Sequence, residues 1–363
     1  MPMKQFLRKL RFAALTALLL ALCAPSAAVA AASDDSRITS PVTSRKVNRQ
    51  DYVDYAYSVR SALYQNADKT FTRVEHLSDE DDRRNQNIRR SYNDAYLKDT
   101  YIAVEQYTAD FNFISGHKIK MELPLYGGFF AGKDYNFIVF GQLNLEESSR
   151  TEVYKIVKYG KDWKNLDEAS VRDCNPTSPF LAGSLRMAEY GDMLYIRTTR
   201  EMYKNAANDG KIHQVNLTIN VSIPKMAVTK CNAEWRPTGG AWGIVTHSFN
   251  QFVSTAGGKI TAVDHGDATP RAVVLNISNA RAGSATLSGK NNSEAKINLL
   301  NIAGDKGDNK TGVSVGAYIA GKSSYLVAGN SIVQDKNYKN RVTRNIFVTV
   351  TPIYTLYLGS FRH

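Results

Sequence analysis

The sequence predicts an all-β protein, a β-propeller-like array of about four recognisable four-stranded blades. Three observations support this prediction. From about residue 96 onward, short stretches rich in Val, Ile, Phe, Tyr and Thr are separated by Gly, Asp and Asn pairs. The same two-hairpin unit recurs along this region. Two cysteines also occupy equivalent positions in neighbouring units.

The first 30 residues have the pattern of a secretory signal peptide. Four cationic residues precede an apolar run from Phe12 to Leu22, and Ala28-Val29-Ala30 is the predicted cleavage site. We therefore expect a protein that is secreted or associated with the cell envelope of a bacterium, with no transmembrane segment in the mature chain. The formal charge of +12 falls to about +8 after cleavage and is spread along the chain. An ordinary basic surface explains this distribution, and an anionic cell-surface polymer or another envelope protein is the alternative that it allows as a partner. The chain has no basic stripe interleaved with aromatic residues, so nucleic acid is not expected as a partner.

Residues 31–95 are predicted to form a polar leader, partly helical or disordered. They are rich in tyrosine and show little strand alternation. Between residues 51 and 64 the apolar positions Tyr52, Tyr55, Val59 and Leu63 recur at helical spacing, which predicts a short helix. The propeller-like domain is then expected to span residues 96–363.

The repeat is defined by a strand, a turn and a stronger strand. Four such segments begin at Tyr126, Ala182, Val245 and Gly312. A second hairpin falls between them, because residues 101–119 resemble residues 153–171. The strong strands align at four positions about 57, 66 and 65 residues apart, namely Phe137, Leu194, Ile260 and Tyr325.

A β-sandwich is the alternative architecture, but it does not predict one two-hairpin unit recurring at one period. Because only about four repeats are visible before the chain stops at "YLGSFRH", the ring is either small or open at one edge. Cys174 and Cys231 lie 57 residues apart, each near the last strand of its unit. Export permits a disulfide between them, and the sequence leaves open whether the bond forms.

The stretches "ELPLYGGFF", "FIVFGQLN", "AGSLRMAEYGDMLYIRTTREMY", "DGKIHQVNLTINV", "THSFNQFV" and "VDHGDATPRAVVL" resemble a group of secreted bacterial β-propeller-like proteins of unassigned function. The resemblance covers roughly residues 100–280. It implies the fold and export, and it implies no substrate. The order "HSFN", glycine turn, "KITAV" and "DHGD" is also similar to propeller arylsulfotransferases, in which a blade histidine takes a sulfuryl group. That similarity implies His247 or His265 as the nucleophile, with Arg197, Arg200 or Arg271 neutralising the sulfuryl oxygens.

Polar residues concentrate near the ends of the predicted strands. Loops at one rim of a propeller converge, so we expect a pocket there in which His213, His247, His265 and Arg271 face one another. Histidine titrates near neutrality and can act as a base, an acid or a metal ligand. The candidate catalytic residues are His247 and His265, and the candidate ligand-binding residues are Arg197, Arg200, His213, Gln214, Asn250, Asp264, Asp267 and Arg271.

Ordinary turn chemistry is the alternative explanation of these residues, since Asp, Asn and Gly form turns and buried polar groups need partners. The chain contains no strong catalytic signature such as a nucleophile elbow, a P-loop or paired zinc ligands. The sequence therefore favours a binding or interaction protein with no cofactor. A sulfuryl transferase or lyase with a histidine and arginine site, or a divalent metal at the histidines, is the open alternative.

Overall fold

In the computed structural model the described residues are 36–42, 49–51, 56–59, 61–77, 100–180, 185–204, 210–233, 248–266, 271–280, 293–304, 310–322, 324–334, 341–350 and 355–358. These ranges contain strands, turns and irregular segments but no α-helix. Within them, no helix is long and apolar enough to span a membrane. The all-β prediction is therefore confirmed.

Twenty-four strands follow one another along the described parts of the chain. In order they are β1 (Arg37–Ile38), β2 (Arg49–Asp51), β3 (Ala56–Ser58), β4 (Ser61–Gln65), β5 (Phe71–Leu77), β6 (Tyr101–Tyr107), β7 (Phe113–Lys120), β8 (Leu125–Ala131), β9 (Asn136–Gly141), β10 (Tyr154–Tyr159), β11 (Asn165–Val171), β12 (Pro176–Pro179), β13 (Arg186–Tyr190), β14 (Met193–Met202), β15 (Gln214–Ser222), β16 (Ala227–Ala233), β17 (Ser248–Ala256), β18 (Lys259–Gly266), β19 (Ala272–Asn279), β20 (Ser293–Asn301), β21 (Ser314–Ala320), β22 (Tyr325–Gln334), β23 (Arg341–Val350) and β24 (Thr355–Leu358).

Five antiparallel sheets contain a run of four sequential strands. They are β4 to β7, β8 to β11, β13 to β16, β17 to β20 and β21 to β24, which we number as the first to the fifth sheet. Strand β1 adds to β7 at the edge of the first sheet, and β12 adds to β14 in the third. Strands β2 and β3 form a separate hairpin.

The predicted repeat register matches this arrangement. Phe137, Leu194, Ile260 and Tyr325 lie at the start of β9, β14, β18 and β22, each of which is the second strand of its sheet. The second predicted hairpin corresponds to the third and fourth strands, since residues 101–119 become β6 and β7 and residues 153–171 become β10 and β11. The aligned positions and the second hairpins therefore fall at corresponding places in successive sheets, and the first sheet precedes the four segments aligned in the sequence.

Each central sheet is packed between its neighbours, which is why its second strand is buried along almost its whole length. In β9, Phe137 and Val139 contact the core shared with the third sheet, whereas Ile138 and Phe140 contact the core shared with the first. Successive side chains of a strand point to opposite faces, so a strand buried on both faces loses its polar alternation. The stacking of sheets in chain order is consistent with propeller blades.

The first strands of four consecutive sheets lie side by side. Strand β13 contacts β8 on one side and β17 on the other, and β17 in turn contacts β21. We call these four strands, β8, β13, β17 and β21, the inner strands. Residues far apart in the sequence meet along them.

The structure corrects the predicted leader. Residues within 31–95 form β4 and β5 of the first sheet, and strands β3 and β4 occupy the segment that was expected to be helical. The strand pattern of β5 is hard to recognise because its buried positions include Thr72, Glu75 and His76. The predicted signal peptide, residues 1–30, lies outside the described residues.

Cys174 and Cys231 form a disulfide, with their Cα atoms 6.3 Å apart. Cys174 follows β11 and Cys231 lies in β16, so the bond joins the fourth-strand edges of the second and third sheets. The two edges approach each other, since β11 contacts β16. Equivalent repeat positions therefore meet at this edge as well as along the inner strands.

Candidate functional site

The predicted site residues lie on the third and fourth sheets. Arg197 and Arg200 are on β14, and His213 and Gln214 lie at the start of β15. On the fourth sheet, Asn250 is on β17, Asp264 and His265 are near the end of β18, and Arg271 directly precedes β19. His247 and Asp267 lie outside the described residues.

Arg197 and Asp264 form a buried ion pair that joins the third and fourth sheets. The Arg197 Nε donates to one carboxylate oxygen at 3.1 Å and Nη2 donates to the other at 2.5 Å. Asn276 donates to the same carboxylate at 2.8 Å, and Arg197 Nη1 donates to the Thr218 hydroxyl at 2.9 Å. Both partners are about fully buried, with relative exposures of 1% each. The pair is a cross-sheet clamp.

This clamp corrects the ligand-binding prediction for three residues. Asn250 is also buried, and its side chain donates to the Arg197 carbonyl at 3.2 Å. The polar groups of Arg197, Asp264 and Asn250 therefore bind one another within the interface between the two sheets and do not form an open surface. Among the described residues, the Asp264 carboxylate is bound by Arg197, 67 residues away, and by Asn276.

Arg200 has a comparable local role. Its Nε and Nη2 donate to the Asn175 side-chain oxygen at 3.1 and 2.6 Å, and its Nη1 donates to the Asn216 carbonyl at 3.1 Å. Asn175 has a positive φ of 48°, so the guanidinium fastens a turn that precedes β12. Gln214 pairs in register with Glu201, and the His213 carbonyl accepts the Met202 N–H at 2.9 Å.

His265 is buried at the end of β18, with 1% relative exposure. Burial, together with the smaller effect of the nearby positive charge of Arg271, lowers its pKa to about 3. The imidazole is therefore neutral near pH 7 and cannot act there as a general acid. His213, His265 and Arg271 all lie where a second strand leads into a third, at corresponding ends of two neighbouring sheets. Their convergence on one pocket stays a prediction.

No group of three or more His, Cys, Asp or Glu side chains within the described ranges is arranged to hold a metal ion.

An open cleft lies at the opposite ends of these strands. It has a volume of about 610 Å³ and lies where the first strands of the second, third and fourth sheets end. Its lining combines carboxylates, hydroxyls, a lysine and aromatic rings: Phe130, Lys133, Asp134, Met187, Ala188, Glu189, Tyr190, Gly191, Asp192, Val253, Ser254 and Thr255. We call this the hairpin cleft. These residues are not among the predicted site residues, although "GKDYN" and "EYGDM" each place an acid and a tyrosine at equivalent turns.

Glu189 holds the three walls of the hairpin cleft together. Its carboxylate accepts the Lys133 N–H at 2.9 Å from the second sheet, and its carbonyl accepts the Thr255 hydroxyl at 2.7 Å from the fourth. Beside it, Lys161 Nζ donates to the Gly132 carbonyl at 2.5 Å and to the Asn136 side chain at 3.1 Å. Partial burial lowers the pKa of Lys161, against the opposing effect of Glu189 and Asp134. The walls are thus fixed before any ligand binds.

Tyr190 supplies an exposed aromatic ring at the cleft. The residue retains 41% relative exposure, although it pairs in register with Met193 at the turn between β13 and β14. Asp134 and Asp192 are exposed beside the neighbouring turns. The arrangement can offer hydrogen-bond acceptors around an aromatic surface.

A line of aromatic and charged side chains crosses all five sheets. His76 stacks on Tyr126 with ring centroids 4.9 Å apart, and Tyr126 lies close enough to Arg186 to affect its pKa. The Arg186 guanidinium carbon lies 5.5 Å from the Phe252 ring centroid, and the ring centroids of Phe252 and Tyr318 are 6.4 Å apart. Apart from His76, these residues are on the inner strands. Sequence reasoning missed the line because no local pattern connects its members.

No family model matches the chain, and no curated protein matches it. Solved structures similar to it include an ulvan lyase of a new polysaccharide lyase family, with 6% identity, a TM-score of 0.46 and coverage of 83% of this chain and 69% of that one. Another polysaccharide lyase has 7% identity, a TM-score of 0.40 and coverage of 87% and 75%. An α-L-arabinofuranosidase from Fusarium graminearum has 10% identity, a TM-score of 0.35 and coverage of 87% and 97%. Because these TM-scores lie below 0.5, the likeness assigns no activity to this chain.

Proposed function

We propose that this chain is an exported, envelope-associated protein that binds a carbohydrate polymer in the hairpin cleft. The observation that carries the proposal is the composition of that open cleft of about 610 Å³. Its volume falls in the ordinary range for small-molecule sites, and an open cleft admits a chain that continues on both sides. Export rests on the signal-peptide pattern of residues 1–30.

The chemistry of the lining favours sugar hydroxyl groups. Asp134, Glu189 and Asp192 are acceptors when ionised, and the side chains of Ser254 and Thr255 can both donate and accept. Tyr190 offers an apolar face together with a polar tip. Since three carboxylates face one lysine in the lining, the cleft itself repels anionic groups.

Binding is tested with the purified mature chain and a panel of soluble polysaccharides, namely arabinan, xylan, polygalacturonate and chondroitin sulfate. Affinity electrophoresis identifies a ligand, and calorimetry measures its Kd. We expect Tyr190→Ala and Asp192→Asn each to weaken binding at least about tenfold, which corresponds to about 1.4 kcal/mol. Both side chains are exposed, so the substitutions should leave the fold intact.

Matched controls come from the first sheet, where Ile114 and Asp110 are exposed away from the cleft. Ile114→Ala and Asp110→Asn should bind as the wild type does. Retention of no polysaccharide, or equal binding by all four variants, would contradict the proposal.

The enzymatic alternative, a sulfuryl transferase or lyase, lacks comparable support among the described residues. Two of the arginines that it requires to neutralise oxyanions are engaged within the fold, Arg197 with Asp264 and Arg200 with Asn175. We therefore propose binding and not catalysis.

A further inference from the structure

Arg186 lies on an inner strand and is positioned by two groups of the next sheet. Its Nε donates to the Gln251 carbonyl at 2.9 Å, and the guanidinium carbon lies 5.5 Å from the Phe252 ring centroid. The contact of Nη1 with the Leu185 carbonyl is long, at 3.5 Å. One edge of the guanidinium is thus fixed by a hydrogen bond and one face by an aromatic ring. Within the described ranges, the long contact to Leu185 is all that the two terminal amino groups make.

The charge of Arg186 is not compensated by the described part of the chain. No carboxylate there forms an ion pair with it, in contrast to Arg73, which contacts Glu75 and Glu105, and to Arg197, which contacts Asp264. Burial lowers the pKa of Arg186 to about 10, although nearby Tyr126 opposes this shift. The group remains positively charged at neutral pH. A partly buried cation without a counter-ion is unfavourable, and a bound anion relieves that penalty.

We propose that Arg186 binds the carboxylate or sulfate group of an acidic sugar in the polymer that occupies the hairpin cleft. The inference rests on the proposed function and specifies its ligand class. The two terminal amino groups of a guanidinium match the two oxygens of a carboxylate or sulfate, so a bidentate contact is available.

The position of Arg186 fits an acidic substituent next to a sugar chain. Arg186 lies two residues before Ala188 on β13, and Phe252 lies two residues before Ser254 on β17, so each shares a strand face with a residue that lines the hairpin cleft. The anion site therefore continues the cleft along the same two strands. Sugar hydroxyls would lie among the carboxylates of the cleft, and the charged group would lie at Arg186, where a cation is uncompensated.

Small sugars test this site independently of the polymer. Binding of D-glucuronate, glucose 6-sulfate and D-glucose is followed by the Arg186 Nε–Hε signal in nuclear magnetic resonance and by calorimetry. The acidic sugars should bind the wild type at least tenfold more tightly than glucose does. Arg186→Gln should remove this preference for acidic sugars. Arg186→Lys should keep part of it, because lysine retains the positive charge but lacks the two parallel N–H donors of a guanidinium. Arg150→Gln, at an exposed arginine, is the matched control.

The outcomes separate this inference from the proposed function. If glucose and the acidic sugars bind equally, or if Arg186→Gln preserves the preference, the inference is wrong while polymer binding can still hold. If inorganic sulfate binds at Arg186 but neither acidic sugar does, the assignment of an acidic sugar is wrong. Arg186-dependent binding of glucuronate with no retention of any polysaccharide would overturn the proposed function and leave the anion site standing.

Discussion

The buried clamp between Arg197 and Asp264 gives the sharpest prediction about stability. Asp264→Asn keeps the size of the side chain but removes its charge and turns one acceptor into a donor. The carboxylate accepts two hydrogen bonds from Arg197 and one from Asn276, at distances of 2.5 to 3.1 Å. The substitution therefore leaves a guanidinium of 1% exposure without its counter-ion.

The expected loss is about 3–5 kcal/mol, the range found when one partner of a buried ion pair is removed. For a mature chain of about 330 residues, the unfolding entropy near the midpoint is about 0.7 kcal/mol per degree, so Tm should fall by about 4–7 °C. Replacing both residues, Arg197→Met with Asp264→Leu, should cost less than the sum of the two single changes, because no lone charge remains buried.

Thermal and urea unfolding of Asp264→Asn measures the loss, and the same measurements on the wild type, Arg197→Met, Asp264→Leu and the double variant give the coupling energy. Asp110→Asn is the control, since this carboxylate is exposed in a turn, and it should change stability by less than about 0.5 kcal/mol. A loss below about 1 kcal/mol for Asp264→Asn would refute the reasoning. Additive effects of the two single changes would also show that the pair is not a clamp.

Two further predictions concern pH and the disulfide. Burial lowers the pKa of His265 to about 3, so the imidazole takes up a proton near pH 6.5 in the unfolded chain but only near pH 3 in the folded chain. The contribution of His265 to the free energy of unfolding should therefore be fully present above pH 6.5. It should fall towards pH 3 by up to about 1.4 kcal/mol per pH unit. His265→Gln should flatten this slope in urea titrations at several pH values, and an unchanged slope would contradict the assignment. The Cys174–Cys231 bond closes a separation of 57 residues, so reducing it should cost up to about 4 kcal/mol, whereas a chain with Cys174→Ala and Cys231→Ala should be insensitive to dithiothreitol.

The architecture could be predicted from the strands that are buried on both faces, because such strands have apolar residues at successive positions. The runs that begin at Phe137 and Leu194 are apolar because each packs against two neighbouring sheets, and they revealed the repeat. The first hairpin of the first sheet, β4 and β5, was missed because β5 buries Glu75 and His76 among its apolar positions. Glu75 is buried because it forms an ion pair with Arg73, and such a pairing cannot be recognised from the sequence.

The sequence could predict the candidate site only as a region rich in polar residues, without the contacts among them. The sequence singled out Arg197 and Asp264 as polar residues in a region of strands, but their contact spans 67 residues and two sheets. The contacts of Arg186 could not be predicted for the same reason, since Gln251 lies 65 residues away and both Gln251 and Phe252 belong to the next sheet. Single-sequence patterns report the local period of a strand and not which strands of other sheets lie beside it.

Binding of a carbohydrate polymer in the hairpin cleft is the central claim, and the most direct measurement is the Kd of the retained polysaccharide for the wild type and for Tyr190→Ala. Tyr190 lines the cleft and is 41% exposed, so we expect Tyr190→Ala to bind at least about tenfold more weakly with an unchanged Tm. An unchanged Kd, with the polymer still bound by the variant, would contradict it.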